Sequence, residues 1–281
     1  MRKYSILFIF LITMFFISCK KDNNDIKTSN SQNPTSYLLK RQTWTGSVSN
    51  GQSILYVYNG DNLVSKIEKY EWGTYSTNGG TIQTWYDTTF YSFEYTNGLC
   101  TKWIVGKEGT QQNYFVYEYN NDKMPVKLTY YSTDNIALSY YLYKYDNSNN
   151  LIQKIDSTQK VEYRYEYSYD SDNNLASLIE YTIGSNPQRK SKYEWLTYDK
   201  KVSFLRTVNG LPVTFGSDFD NPLFSSPNNY LSEKYYTPVN IDQSFGTPEF
   251  RNATYEYNDE GLPTKMSDSG WIVNFEYQKY K

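Results

Sequence analysis

Tyr163, Tyr165, Tyr167 and Tyr169 recur at every second residue with Arg164, Glu166 and Ser168 between them, and the run ends in Asp170-Ser171-Asp172-Asn173-Asn174 before Leu175. A period of two puts the four rings on one face of an extended chain and the charges on the other, so this stretch predicts a half-sheltered strand. Asp and Asn bond back to their own backbone, so the polar cluster predicts a turn and Leu175 begins a returning strand.

The same unit is written six times, as YVYNGDNLVSKI (56 to 67), FEYTNGLCTKW (93 to 103), YEYNNDKMPVKL (117 to 128), YKYDNSNNLIQKI (143 to 155), YSYDSDNNLASLI (167 to 179) and YEYNDEGLPTKM (255 to 266). Each reads as a β-hairpin. A spacing of four returns to one face of a strand, so Leu63 with Ile67, Leu151 with Ile155 and Leu262 with Met266 are expected to point the same way. Glu94, Glu118 and Glu256 stand between paired aromatics, while Lys66, Lys102, Lys127, Lys154 and Lys265 precede the second apolar residue. Opposite charges on neighbouring strands fix register, so this face is expected to carry cross-strand pairs and to point outward.

Hairpins in sequence predict an all-β fold, an antiparallel meander from Tyr37 to Lys281. It is expected to form a strongly twisted, curved sheet, an open barrel or half-barrel, with a two-sheet β-sandwich as the alternative. From Asn209 to Pro248 the rhythm breaks under Pro212, Pro222, Pro227, Pro238 and Pro248. Proline is excluded from sheet centres, so 209–248 is read as an insertion packed on the concave side, with a helical turn near Asn221-Pro222-Leu223-Phe224.

The amino terminus reads as an address. Arg2 and Lys3 precede an apolar run from Ile6 to Ile17, shorter than the ~20 residues of a spanning helix and suited to a signal-peptide core. Phe16-Ile17-Ser18-Cys19 resembles a bacterial lipobox, which implies cleavage before Cys19 and a lipid on that cysteine. Lys20 in the next position resembles the sorting pattern for outer-membrane delivery. Residues 20–36 are Asn-, Ser- and Lys-rich and read as a flexible tether. Cys100 is then the one mature cysteine, expected to be a buried structural thiol.

Composition removes several function classes. The chain of 281 residues has no histidine, which takes away the usual base near neutral pH and the commonest metal ligand. A formal net charge of -2 argues against nucleic acid as a partner. Asp170, Asp172 and Asn174 alternate as in a calcium loop, but Leu175 stands where that loop needs glycine and Tyr181 where it needs glutamate. No catalytic residue, metal site or cofactor is expected.

Tyr145-Asp146 to Leu151, Tyr169-Asp170 to Leu175 and Tyr257-Asn258 to Leu262 resemble the YD repeats of Rhs-type proteins. With the lipobox, the Asn221-Pro222 segment and the closing Tyr-Glu-Tyr hairpin, the chain is similar to uncharacterised tyrosine-rich lipoproteins of Bacteroidetes-type bacteria. That resemblance implies a β-repeat fold and a lipid-anchored place at the outer membrane, with no catalytic residues to transfer. The function expected is non-enzymatic binding or scaffolding with a glycan or an envelope protein as partner. A glycan-binding surface lipoprotein and a lipid carrier with a curved apolar sheet are the alternatives. For glycans, Trp72 and Trp85 are the candidate ligand residues, because they flank the Gly- and Thr-rich stretch from Gly73 to Thr84, read as a long hairpin loop.

Overall fold

The structure is a computed structural model that describes residues 37–280 except 47–49, 77–81, 108–109, 111, 158–160, 185–187, 213 and 215–225. Cys19, the tether and the Asn221-Pro222-Leu223-Phe224 turn lie outside the described residues. The strands are β1 (Tyr37–Thr45), β2 (Gly51–Tyr58), β3 (Val64–Ser76), β4 (Ile82–Thr96), β5 (Leu99–Gly106), β6 (Asn113–Tyr119), β7 (Pro125–Tyr131) and β8 (Ala137–Tyr145). They continue as β9 (Leu151–Ser157), β10 (Glu162–Tyr169), β11 (Leu175–Ile183), β12 (Arg189–Val202), β13 (Asn228–Asn240), β14 (Glu249–Tyr257), β15 (Pro263–Asp268) and β16 (Trp271–Lys279). All pair antiparallel with their sequence neighbours, as the meander requires.

The expected open sheet, half-barrel or sandwich is corrected in one respect. β1 pairs with β16, Gln42 opposite Phe275 and Trp44 opposite Val273, so sixteen strands close into a barrel. Closure removes the two exposed edges an open meander would leave unpaired. The expected insertion also narrows, because Asn228–Asn240 is β13, which leaves the connection from β12 to β13 and residues 241–248 outside the sheet. Pro238 is accommodated near the end of β13, beyond the last residue that β14 pairs, Tyr235.

Each repeat hairpin carries the same bulge. Tyr119 pairs with Pro125 but Glu118 with Lys127, which leaves Val126 extra. Ser65, Thr101, Ile152, Ala176 and Thr264 are extra in the same way. The bulge shortens the apolar spacing from four to three: Val64 pairs with Ile67 in facing inward, Pro125 with Leu128, and Leu175 with Leu178. The expected pairing of Leu63 with Ile67 and Leu151 with Ile155 is therefore replaced. A bulge interrupts the ladder, and the freed carbonyl needs another donor.

The second tyrosine of the repeat supplies it. Tyr95 donates to the carbonyl of Val64, Tyr119 to Cys100, Tyr145 to Pro125, Tyr169 to Leu151, Tyr198 to Leu175 and Tyr277 to Pro263, at 2.6–2.9 Å. Every acceptor directly precedes the extra residue of the hairpin before, so these tyrosines bolt their strands to that hairpin, whereas Tyr257 of the last copy donates to Asp199 instead. The tyrosine content follows from this: the ring fills the interior and the hydroxyl satisfies a backbone group. Replacing Tyr119 by Phe keeps the ring and removes the donor, so urea unfolding should show a loss of about 1 kcal/mol.

The turns are closed by their first side chain. Asn120 Oδ1 accepts from the backbone N–H groups of Asp122 at 3.1 Å and Met124 at 2.9 Å, and Asp170 Oδ1 accepts from Asp172 at 2.9 Å and Asn174 at 2.8 Å. Asn62, Lys123, Asn149 and Asn173 take the left-handed conformation, which Asn tolerates better than most residues. The carboxylate of Asp170 is thus committed to its own turn.

One face of every strand carries the core, and in the closed barrel that face is the interior. Tyr56, Ile67, Tyr91, Phe93, Trp103, Phe115, Tyr117, Leu128, Tyr143 and Tyr167 are buried there. The ring of Trp103 stacks on Phe115 with centroids 3.8 Å apart. The outer face holds the expected charge pairs, with Lys102 3.1 Å from Glu94, Lys127 2.7 Å from Glu118 and Lys265 2.7 Å from Glu256.

After β12 the chain turns across the tight-turn end of the barrel. Ser203 caps a single 3-10 turn (Phe204–Thr207), whose Phe204 ring lies 4.5 Å from Phe275 of β16. The carbonyl of Asn209 accepts from Val64 N–H at 3.0 Å, and its side chain donates to Asn62 O at 3.1 Å. Gly210 adopts φ +93° beside Leu63 and the Tyr95 hydroxyl, where a Cβ would sit 3.0 Å from each. Phe204, Leu205, Thr207 and Val208 are buried, so this segment plugs one end of the interior.

Candidate functional site: an ion-bearing tyrosine belt inside the barrel

The two tryptophans singled out in the sequence do not come together. Trp72 pairs with Gly51 and Tyr86 while Trp85 pairs with Gly73, which places the rings on opposite faces of the β3–β4 hairpin. Each lies over a glycine: a Cβ at Gly51 would come within 2.4 Å of Trp72, and one at Gly73 within 2.6 Å of Trp85 Nε1. The expected long loop from Gly73 to Thr84 is mostly strand, since β3 runs to Ser76 and β4 starts at Ile82. Cys100 is buried, its Sγ donates to Lys102 O at 3.7 Å, and burial pushes the thiol up to about 12.

The interior itself holds the unusual chemistry. Because the bulge shifts the repeat frame, Lys154 falls where other copies place Ile67, Trp103, Leu128, Leu178 and Met266, on the inward face rather than the expected outer one. Its side chain is 3% exposed. The ammonium lies 4.0 Å from the Tyr165 ring centroid and 5.6 Å from that of Tyr141, a cation between two π faces. Burial drives it down to about 8, and the carboxylates of Asp156 and Glu180 oppose that shift. Asp156 is pushed up by its own burial and pulled back by Lys154.

The belt continues along the interior wall. Glu180 accepts from Ser191 Oγ at 3.4 Å, and on β13 the buried Glu233 faces Arg251 Nη1 at 3.4 Å. Burial raises Glu233, with Arg251 opposing. Tyr230 donates to Asp268 Oδ2 at 2.7 Å. Among the described residues, Asp156 Oδ1, Tyr255 OH, Asp268 Oδ1 and Trp44 Nε1 are buried without a hydrogen-bond partner in the protein. Buried polar atoms of this kind are served by water or by a polar ligand. The belt therefore has the groups to hold polar molecules, two cations and four carboxylates between tyrosine rings.

The comparisons with known proteins agree with the barrel and go no further. A porin-like protein from Bacteroides uniformis ATCC 8492 shares this fold. Its crystal structure matches with a TM-score of 0.56 and 11% sequence identity, over 87% of this chain and 98% of that one. No family model matches the chain, and no curated protein does.

Sequence reasoning missed the belt because the register that turns these residues inward is set by the bulge. Lys154 carried the one available signal. Aligned on the turn rather than on the last apolar residue, YKYDNSNNLIQKI puts a lysine in a core column.

Proposed function

We propose that this protein is a lipid-anchored lipoprotein of the bacterial outer membrane, acylated at Cys19, whose barrel stands in the aqueous phase at the end of its tether. It serves there as a non-enzymatic binding or scaffold module of the tyrosine-rich Bacteroidetes-type kind. The charged outer wall carries this reading. A barrel that crosses a bilayer needs an outward apolar band roughly 25 Å tall, and each Lys or Arg at mid-bilayer depth costs about 2–4 kcal/mol. Here ion pairs stand on the outer face around the circumference, on β3, β4–β5, β6–β7, β10, β12 and β14–β15. The interior is filled with aromatic side chains and plugged at one end, the reverse of a water-filled pore. Among the described residues the same packing leaves no open apolar concave surface, which weighs against the lipid-carrier alternative. The porin-like neighbour supports an outer-membrane setting by analogy of fold.

Two measurements test this. Cells given an alkyne-tagged fatty acid should label the protein, and Cys19→Ala should abolish the label; labelling that survives the substitution overturns the anchor. Reconstituted in planar bilayers, the protein should give no conductance, and reproducible single-channel steps would overturn the aqueous placement.

A further inference from the structure

The sequence holds four Asn-Gly steps, Asn59-Gly60, Asn78-Gly79, Asn97-Gly98 and Asn209-Gly210. Asn78-Gly79 lies outside the described residues, and the other three sit at the tight-turn end of the barrel. The step carries its own chemistry. Glycine has no side chain to shield its backbone nitrogen, so that nitrogen can attack the side-chain amide carbon of the asparagine before it. The reaction requires that the asparagine be free to turn.

Two of the three are locked. Asn59 Oδ1 accepts from the backbone N–H groups of Asp61 and Leu63, both at 3.0 Å, so bringing its amide carbon onto Gly60 N breaks two hydrogen bonds. Asn209 donates through Nδ2 to Asn62 O at 3.1 Å, and Gly210 stands at φ +93° against Leu63 and the Tyr95 hydroxyl. Asn97 has no such restraint. It is exposed, and among the described residues its side chain makes no hydrogen bond. Asn97 and Gly98 are the two central residues of the β4–β5 hairpin, between the paired Thr96 and Leu99, with φ 52° and 78°. Two positive φ values make a type I′ turn. Turning its central peptide over gives type II′, the other turn that two-residue hairpins use, and swings Gly98 N toward the Asn97 side chain. No backbone hydrogen bond holds that peptide, and it borders an open depression of about 610 Å³ that Asp61 and Tyr95 also line.

We propose that Asn97 is a site of spontaneous deamidation, a slow chemical clock in the β4–β5 turn. Gly98 N loses its proton to hydroxide and bonds to Asn97 Cγ, while Nδ2 takes a proton and leaves as ammonia, which closes a cyclic imide. Water then opens either carbonyl, giving aspartate or its β-linked isomer, so that the sum is amide plus water giving acid plus ammonia. The isomer lengthens the main chain by a methylene inside a two-residue turn whose geometry sets the register of Leu99 and Cys100. Cys100 O accepts from the Tyr119 hydroxyl, so the change works against a bond between hairpins. Both products also add a carboxylate to the depression that Asp61 lines.

The test is peptide mass spectrometry of the full chain after incubation, folded in detergent, in mildly alkaline heavy-oxygen water, with each rate divided by that of the same residue in guanidinium. Heavy oxygen is expected in the peptide that holds Asn97. Asn59 should lag about thirtyfold behind it, because two hydrogen bonds must break first, and Asn209 about fivefold or more for one. Asn97→Gly keeps a residue that tolerates positive φ and should remove the label with an unchanged circular dichroism spectrum. Aged wild-type protein should unfold at lower urea than fresh protein, and aged Asn97→Gly should not. Normalised labelling of Asn59 or Asn209 as fast as that of Asn97 overturns the selective site. An Asn97 peptide that stays unlabelled in the folded protein while the unfolded chain takes up label overturns the proposal.

Discussion

Raising the pH from about 9.5 to about 11 is expected to unfold the barrel in one cooperative step. Seventeen described tyrosines have their hydroxyl pushed above the usual value, in most cases because burial disfavours the phenolate. A group whose folded pKa lies above its unfolded value keeps its full contribution below the unfolded value and loses it as pH rises beyond. For these residues the loss begins near pH 10, where an exposed tyrosine in the unfolded chain releases its proton and the folded one does not. The eight most deeply placed are Tyr56, Tyr58, Tyr117, Tyr143, Tyr167, Tyr230, Tyr255 and Tyr277. At pH about 11 each forfeits about 1.4 kcal/mol, roughly 11 kcal/mol together, as large as the whole stability of an ordinary domain. Tyrosinate absorbance and far-ultraviolet circular dichroism, followed against pH, should therefore change together. Phenolates that appear gradually near pH 10 while the β signal persists would show that the hydroxyls are not sheltered.

The strands were legible because alternation leaves no other arrangement for Tyr163 to Tyr169, and the turns because Asn120 and Asp170 act on their own backbone. Closure was not legible. It depends on Gln42 meeting Phe275 across almost the entire chain, and neither residue carries a local sign of the other. The bulge was hidden for a different reason: Val126 and Ile152 look like ordinary strand residues, and only the register shows that two residues oppose one. That single extra residue moved Ile155 outward and Lys154 inward. Trp72 and Trp85 looked like a pair because they flank one turn, yet their separation of thirteen residues spans a hairpin whose register puts them on opposite faces.

Lys154→Leu is expected to destabilise the protein by about 2–3 kcal/mol near pH 8, even though leucine is what sister repeats place in that column. Asp156 then loses the nearby positive charge that offsets its burial; removing one partner costs about 3–5 kcal/mol in fully buried ion pairs, and less is expected here because Asp156 is only half-buried. The cost should shrink as the pH falls, because Asp156, already pushed up by burial, takes a proton more readily than an exposed carboxyl. Replacing both, Lys154→Leu with Asp156→Leu, should recover wild-type stability or exceed it, since neither desolvated charge is then left in the interior. The wild-type protein carries the complementary signature. Lys154 has a folded pKa of about 8, below its unfolded value, so between the two the unfolded chain binds the extra proton and stability rises with pH. The gain over that window is about 3 kcal/mol before the tyrosines reverse it above pH about 10. Urea midpoints at a series of pH values should thus climb above neutrality in the wild type and stay flat in Lys154→Leu until the tyrosines titrate. Parallel wild-type and mutant profiles over that range would mean that the ammonium is solvated, and that the interior belt is wet enough to carry a charge without cost.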